Sequence, residues 1–171
     1  MTSKVVVLKD VEALWLCKDA KLVSFRWDLI PWSLVLDMDS PIGEITNAPI
    51  RRAWMVFVGI SEFSWTVASA RLVNGLFATN WALTSELPDG YHEYSLPLLT
   101  PKFDAQNKMA SNPHNELKLT AKRLIGAAST ATAYFGQHGP NRDQRDTLAT
   151  EEDFLNAIGD VSASPVIASS E

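Results

Sequence analysis

The chain of 171 residues holds a single cysteine, Cys17. A lone thiol excludes an intrachain disulfide framework and any multi-cysteine metal cluster. Histidine is scarce too. His92, His114 and His138 have neither i, i+4 spacing nor an H-E-x-x-H context, so the zinc-hydrolase signature is missing. The eight glycines are scattered and form no G-x-G-x-x-G or Walker loop. No serine sits in a G-x-S-x-G elbow. Basic residues are unclustered apart from Arg51-Arg52 and Lys122-Arg123, which make no stripe suited to a phosphate backbone. No apolar run approaches the roughly 18 residues of a membrane span. Val5-Val6-Val7-Leu8 ends at Lys9, too short for a secretion signal. These absences predict a cytoplasmic protein with no nucleic-acid partner, no membrane association, no cofactor and no bound metal.

What is present is ordinary globular composition, 46% apolar and 20% charged. The net charge of -5 is unevenly placed. Residues 1–136 carry 13 Lys/Arg and 13 Asp/Glu, whereas residues 137–171 carry two arginines against seven acids. Trp15, Trp27, Trp32, Trp54, Trp65 and Trp81 all lie in the first half. A neutral, tryptophan-rich body is followed by an acidic segment. The expected organisation is a single domain over 1–159, with a core at 1–136 and an acidic helical segment at 137–159, then a flexible tail at 160–171.

Strand patterning dominates. Lys21 to Trp27 alternates, with Val23, Phe25 and Trp27 on one face. Trp32, Leu34, Leu36 and Met38 form a second alternating set, which predicts a half-buried strand with one wet face. A short connection at Leu29-Ile30-Pro31 makes the two a hairpin. Ala53 to Ile60 is almost continuously apolar and predicts a central strand buried on both faces. Asn74-Gly75 is a strong hairpin signal between Ser64–Val73 and Leu76–Leu83. In that register Trp65 opposes Thr84 and Trp81 opposes Ala68, so the two tryptophans lie on opposite faces and one faces away from the core unless a second layer covers both faces or a bulge shifts the register. Pro88-Asp89-Gly90 predicts a turn. His92, Tyr94, Leu96 and Leu98 share a face of the next strand, and Pro97 marks an edge or an end. Residues 100–115 read as a long loop. Residues 116–136 fit either a helix face or alternation, and Gly126 with the Ser/Thr/Ala run favours two strands. Thr150-Glu151-Glu152-Asp153 is a helix start, Phe154, Leu155 and Ile158 supply one apolar stripe, and Gly159 ends it. The fold class is therefore β-rich α+β, an antiparallel sheet or sandwich of about six to eight strands with a short C-terminal helix.

From Cys17-Lys18-Asp19-Ala20-Lys21-Leu22 through Trp27 to the strand Trp32–Met38, the chain resembles the opening of small bacterial β-rich proteins. Several of these belong to immunity families of polymorphic toxin systems; others are uncharacterised. In them an aspartate–alanine pair leads into a strand, a turn and a second strand. A histidine commonly precedes the pair, and Lys18 stands in its place here. The resemblance implies a cytosolic single-domain protein that binds and blocks a toxin, and it brings no catalytic residue.

Few residues carry chemistry. Asp37 and Asp39, with Glu44, would offer oxygen ligands to a hard cation, but alternation alone places both aspartates on the polar face of their strand. His92 would form an acid–base pair if the fold brings it to Glu62 or Asp89. Cys17, between Leu16 and Lys18, reads as a small buried hydrophobe. Trp65 and Trp81 are candidate partner-binding residues, because tryptophan dominates binding hot spots. The leading expectation is a non-enzymatic protein-binding module of immunity type, its partner a toxin or a second copy of itself, using Trp65, Trp81, Glu62, His92, Asp37 and Asp39. The alternatives are a small-ligand or enzymatic β domain built on His92 with nearby carboxylates, and a structural or assembly subunit.

Overall fold

The structure, a computed structural model, describes residues 4–18, 20–29, 32–40, 49–66, 76–77, 83–99, 102–103, 109–110, 116–133 and 148–162. The strands are β1 (Val5–Lys9), β2 (Lys21–Leu29), β3 (Trp32–Ser40), β4 (Arg51–Thr66), β5 (Leu76–Phe77), β6 (Leu83–Glu86), β7 (His92–Leu99), β8 (Lys102–Phe103), β9 (Met109–Ala110) and β10 (Glu116–Ser129). A short helix α1 (Val11–Leu14) runs into a single 3-10 turn at Trp15–Cys17, and α2 (Glu151–Ser162) follows β10.

Eight strands form one antiparallel sheet in the order β1-β10-β4-β3-β2-β5-β7-β6, and β10 also pairs with β7. The ladders therefore run in a circuit, from β10 through β4, β3, β2, β5 and β7 back to β10, a small barrel. Its seam at β5 is thin: Lys21 pairs with Leu76, and Leu76 and Phe77 pair with Leu99 and Leu98. Inside, Leu34, Leu36 and Met38 of β3 meet Ala53, Met55 and Phe57 of β4, Tyr94 and Leu96 of β7, and Leu117, Leu119 and Leu124 of β10. This interior is made by alternation, since successive side chains leave a strand on opposite faces.

The long strands bend where the alternation slips. Ile60 pairs with Ala121 but Glu62 with Thr120, which leaves Ser61 as an extra residue. Gly59 lies beside this bulge at φ +70, in the left-handed region open to glycine. A bulge with a glycine sharpens twist and turns a strand around a barrel corner.

The 11–17 segment plugs the interior with Ala13, Leu16 and Cys17. It lies so close to β10 that a Cβ on Gly126 would sit 2.8 Å from both Ala13 Cβ and Leu16 Cδ1. The Cys17 thiol points at Met55 Sδ, 3.1 Å away. Burial pushes its pKa up to about 12, so it is an inert core group, as its apolar context predicts.

A second apolar layer lies on the outer face of the same strands. Val5, Val35, Trp54, Val56, Ile125 and Ala127 are covered by Ala149 and Phe154. Phe154 stacks on Trp54 with centroids 4.8 Å apart and planes 10° from parallel. Thr150 caps α2: its Oγ1 accepts from the Asp153 N–H at 3.2 Å, while its own N–H donates to Asp153 Oδ2 at 2.8 Å. That reciprocal bonding is a capping box and holds the Asp153 carboxyl below the usual carboxylate range.

The hairpin of β2 and β3, the doubly buried β4 and the C-terminal helix match the sequence expectations, while several details differ. β3 has no wet face: Ser33, Asp37, Asp39 and Ser40 are all buried. In β2, a register shift between Leu22 and Ser24 makes Val23 the extra residue. Trp65 pairs with Leu117 and Thr84 with Tyr94, not with each other; Asn74, Gly75 and Trp81 lie outside the described residues. β7 is not an edge. It pairs with β10 on one side, and Pro97 falls between its ladders to β6 and β5 on the other. Residues 116–129 are one 14-residue strand. The 100–115 stretch contains the small β8–β9 ladder. α2 continues past Gly159 to Ser162, and Leu155 is 49% exposed, leaving Phe154 as the anchor.

Two stability measurements follow. Phe154→Ala is expected to cost about 3–4 kcal/mol in urea unfolding, and Leu155→Ala less than about 1 kcal/mol. Gly126→Ala is expected to destabilise by about 1–3 kcal/mol through overpacking against α1, and a rise in melting temperature would contradict that close approach.

Candidate functional site

Alternating aromatic positions on β2 and β4 converge at one mouth of the barrel. Phe25 and Trp27 pair with Leu36 and Leu34, while Phe63 and Trp65 pair with Leu119 and Leu117. Opposed residues share a face, so all four rings belong to the inward face. They pack on one another: Phe25 lies 4.8 Å from Trp65, and Trp27 meets Phe63 edge-on at 4.5 Å, 84° between planes. Phe63 and Trp65 are 6.3 Å apart. The cluster sits on the core without being sealed, with Phe25 43% and Phe63 38% exposed and Trp65 half-buried. Trp32 is 59% exposed. The Trp65 indole nitrogen is buried and, among the described residues, unpartnered. Edge-on ring pairs contribute about 0.5–1.5 kcal/mol beyond their burial, so the cluster is pre-formed.

Asp37 and Asp39 have structural surroundings. Asp37 Oδ2 takes a bond from Arg52 Nη2 at 3.0 Å and Oδ1 one from Nε at 3.3 Å. Arg52 Nη1 also donates to the Ala149 carbonyl at 2.8 Å, and its guanidinium lies 5.5 Å from the Phe154 ring and 5.9 Å from Trp54. Arg26 sits over Trp54 at 4.8 Å and pairs with Asp28 and Glu151. Asp37 thus fixes the arginine that fastens α2 to the sheet. Asp39 stands opposite Arg52 on β4 and Lys21 on β2, 7% exposed. Among the described residues no group of three or more His, Cys, Asp or Glu is placed to hold a metal ion.

Glu62 and His92 do not meet. Glu62 stands opposite Thr120, which stands opposite Glu93, a polar row on the outer face of β4, β10 and β7. His92 stands opposite Ala121 on β10 and Glu86 on β6. Ala121 belongs to the interior and Thr120 is its neighbour on the strand, so His92 and Glu62 occupy opposite faces. Asp89 sits at φ 67 in the exposed turn before β7, and the carboxylate residue opposite His92 on β6 is Glu86. Trp81 lies outside the described residues. Sequence reasoning singled out Trp65 but missed Phe25, Trp27 and Phe63. Their signal was the same-parity aromatic pair on each strand, 25 with 27 and 63 with 65.

The Asp37–Arg52 pair yields a discriminating measurement. Each side chain is 13% exposed, and losing one partner leaves a nearly buried charge, so Asp37→Ala is expected to cost about 2–3 kcal/mol. The Asp37→Ala, Arg52→Met double variant is expected to lose less than the sum of the two single losses. Unchanged stability in the single variant would contradict this structural role for the pair. The chain matches no known protein family, no curated protein and no solved structure.

Proposed function

We propose that this chain is a cytoplasmic protein-binding module without catalysis of its own, an immunity-type protein that binds a toxin and blocks it by occlusion. The observation that carries the reading is the cluster of Phe25, Trp27, Phe63 and Trp65 at the barrel mouth, partly exposed and braced by ring-to-ring packing. Braced aromatic rings lose little conformational freedom on docking and supply large contact area, which is why aromatics dominate interface hot spots. The net charge of -5 favours a partner with a basic surface and speeds the encounter. The opening at residues 17–38 supports the same reading through its resemblance to immunity proteins. No helix among the described residues is long and apolar enough to cross a membrane, which agrees with a partner met in solution.

The test is co-expression with the toxin encoded beside the gene. The intact chain is expected to protect the host and to co-purify with the toxin. Phe25→Ala with Phe63→Ala is expected to weaken the complex at least tenfold, about 1.4 kcal/mol or more, with an unchanged circular dichroism spectrum. Full protection by the double variant, or the lack of any toxin gene beside this one together with a pull-down that recovers no specific partner, would overturn the reading.

A further inference from the structure

Four residues along β10 from Leu117, the partner of Trp65, Ala121 pairs with His92, and a separate cleft opens between α1 and the β6–β7 pair. It has a volume of about 240 Å³ and is lined by Asp10, Val11, Leu14, Glu86, His92 and Tyr94. We propose that this cleft binds a small organic cation, an ammonium group carried on a compact apolar body. The site is independent of the toxin-binding surface.

Charge sets the class of ligand. The lining holds two carboxylates and neither lysine nor arginine. Among the described residues neither Asp10 nor Glu86 has an ion pair or a side-chain hydrogen bond, so both are free to meet a cation. Asp10 is placed by its backbone. It adopts φ 50, its N–H donates to the Leu124 carbonyl at 2.9 Å, and its own carbonyl accepts from Ala13 N–H at 3.0 Å. A non-glycine residue held at positive φ persists only where its surroundings over-determine it.

Tyr94 is a second, independent pointer. The side chain is 2% exposed and lines the cleft, yet among the described residues its hydroxyl makes no hydrogen bond. The hydroxyl oxygen opens onto the cleft, where it can accept from an arriving N–H donor. Burial, followed by the Asp10 charge, pushes the Tyr94 pKa up to about 12. The phenol therefore stays neutral and able to accept, and it feels the Asp10 carboxylate. Its ring and the His92 ring lie 6.3 Å apart with 46° between planes and form one wall of the cleft. Val11 and Leu14 supply apolar wall for the rest of the ligand. The volume is below the usual range for drug-sized ligands, which restricts the body to something like a phenyl ring on a short chain.

The experiment is an NMR titration of the full chain with 2-phenylethylammonium, following the His92 imidazole signals, with 2-phenylethanol as the neutral isostere. A saturable shift with a dissociation constant below about 10 mM is expected for the cation, and at least tenfold weaker binding for the alcohol. Glu86→Gln and Asp10→Asn are each expected to weaken the cation about tenfold, and Tyr94→Phe several-fold, each charge-assisted contact being a strong one. Glu152→Gln, which removes an exposed acid on α2, is expected to change nothing and controls for general attraction to an acidic protein. Glu86 lies on the surface at the end of β6, so its variant keeps the test alive should Asp10→Asn perturb the turn. Equal binding of the alcohol, indifference to Glu86→Gln, or no saturable shift of His92 would overturn the proposal and leave the toxin-binding reading untouched.

Discussion

Everything in this architecture hangs on β10 having its hydrogen-bonding capacity used along both edges. Its first half lies between β4 and β7, and its second half between β4 and β1. A strand paired on both sides leaves no unsatisfied backbone for water and ties the first strand of the chain to the longest. Barrel closure, the plug at Ala13 and Leu16, and the turn at Asp10 that hydrogen-bonds to Leu124 all follow from that one strand. Because β10 must pass under the plug, its inward face there is written in small residues, Gly126 and Ala128.

The outer layer obeys different physics. The face carrying Val35, Trp54 and Val56 is apolar, but the groups that close it are charged. Arg26 and Arg52 bracket the Trp54 ring and reach Glu151 and the Ala149 carbonyl at the start of α2. Stacking Phe154 on Trp54 supplies area; the guanidinium bonds supply position. Asp37 compensates the one arginine that is nearly desolvated, because an uncompensated charge at that depth would cost more than the contacts return. The same separation of roles recurs at the two candidate sites. One is built from area, as stacked rings at the barrel mouth, and the other from charge, as two carboxylates over a buried phenol.

Alternation made the interior legible. Leu34, Leu36 and Met38, and the run from Ala53 to Phe57, fall where the pattern puts them. Alternation reports which residues share a face, but not what covers that face, and this is why Asp37 and Asp39 read as wet. Asp37 is covered by way of Arg52, which reaches across to Ala149, more than a hundred positions away. Gly126 weakens the strand signal of β10 for the opposite reason, since its missing side chain answers to α1 and not to strand propensity. α1 itself, four residues long, is too short to show a helical period. The candidate sites are half visible in the sequence. Trp65 stood out by composition, but its convergence with Phe25, Trp27 and Phe63 is set by ladders between distant strands. His92 stands out in the sequence, whereas its cross-strand neighbour Glu86 depends on the β6–β7 register.

The order of elements along the chain shapes how the molecule is made. The outer apolar face is complete, apart from β10, once residue 58 has emerged, but Phe154 follows Trp54 by 100 residues. At roughly 5–20 residues per second, a ribosome leaves the Trp54 face bare for about 5–20 s. Nor can the barrel close meanwhile, because β4 waits for β10 and such non-local pairing is slow. For that interval the nascent chain carries an open, tryptophan-bearing sheet surface. What closes that surface is made after every strand of the sheet, so the outer core stays provisional until α2 arrives.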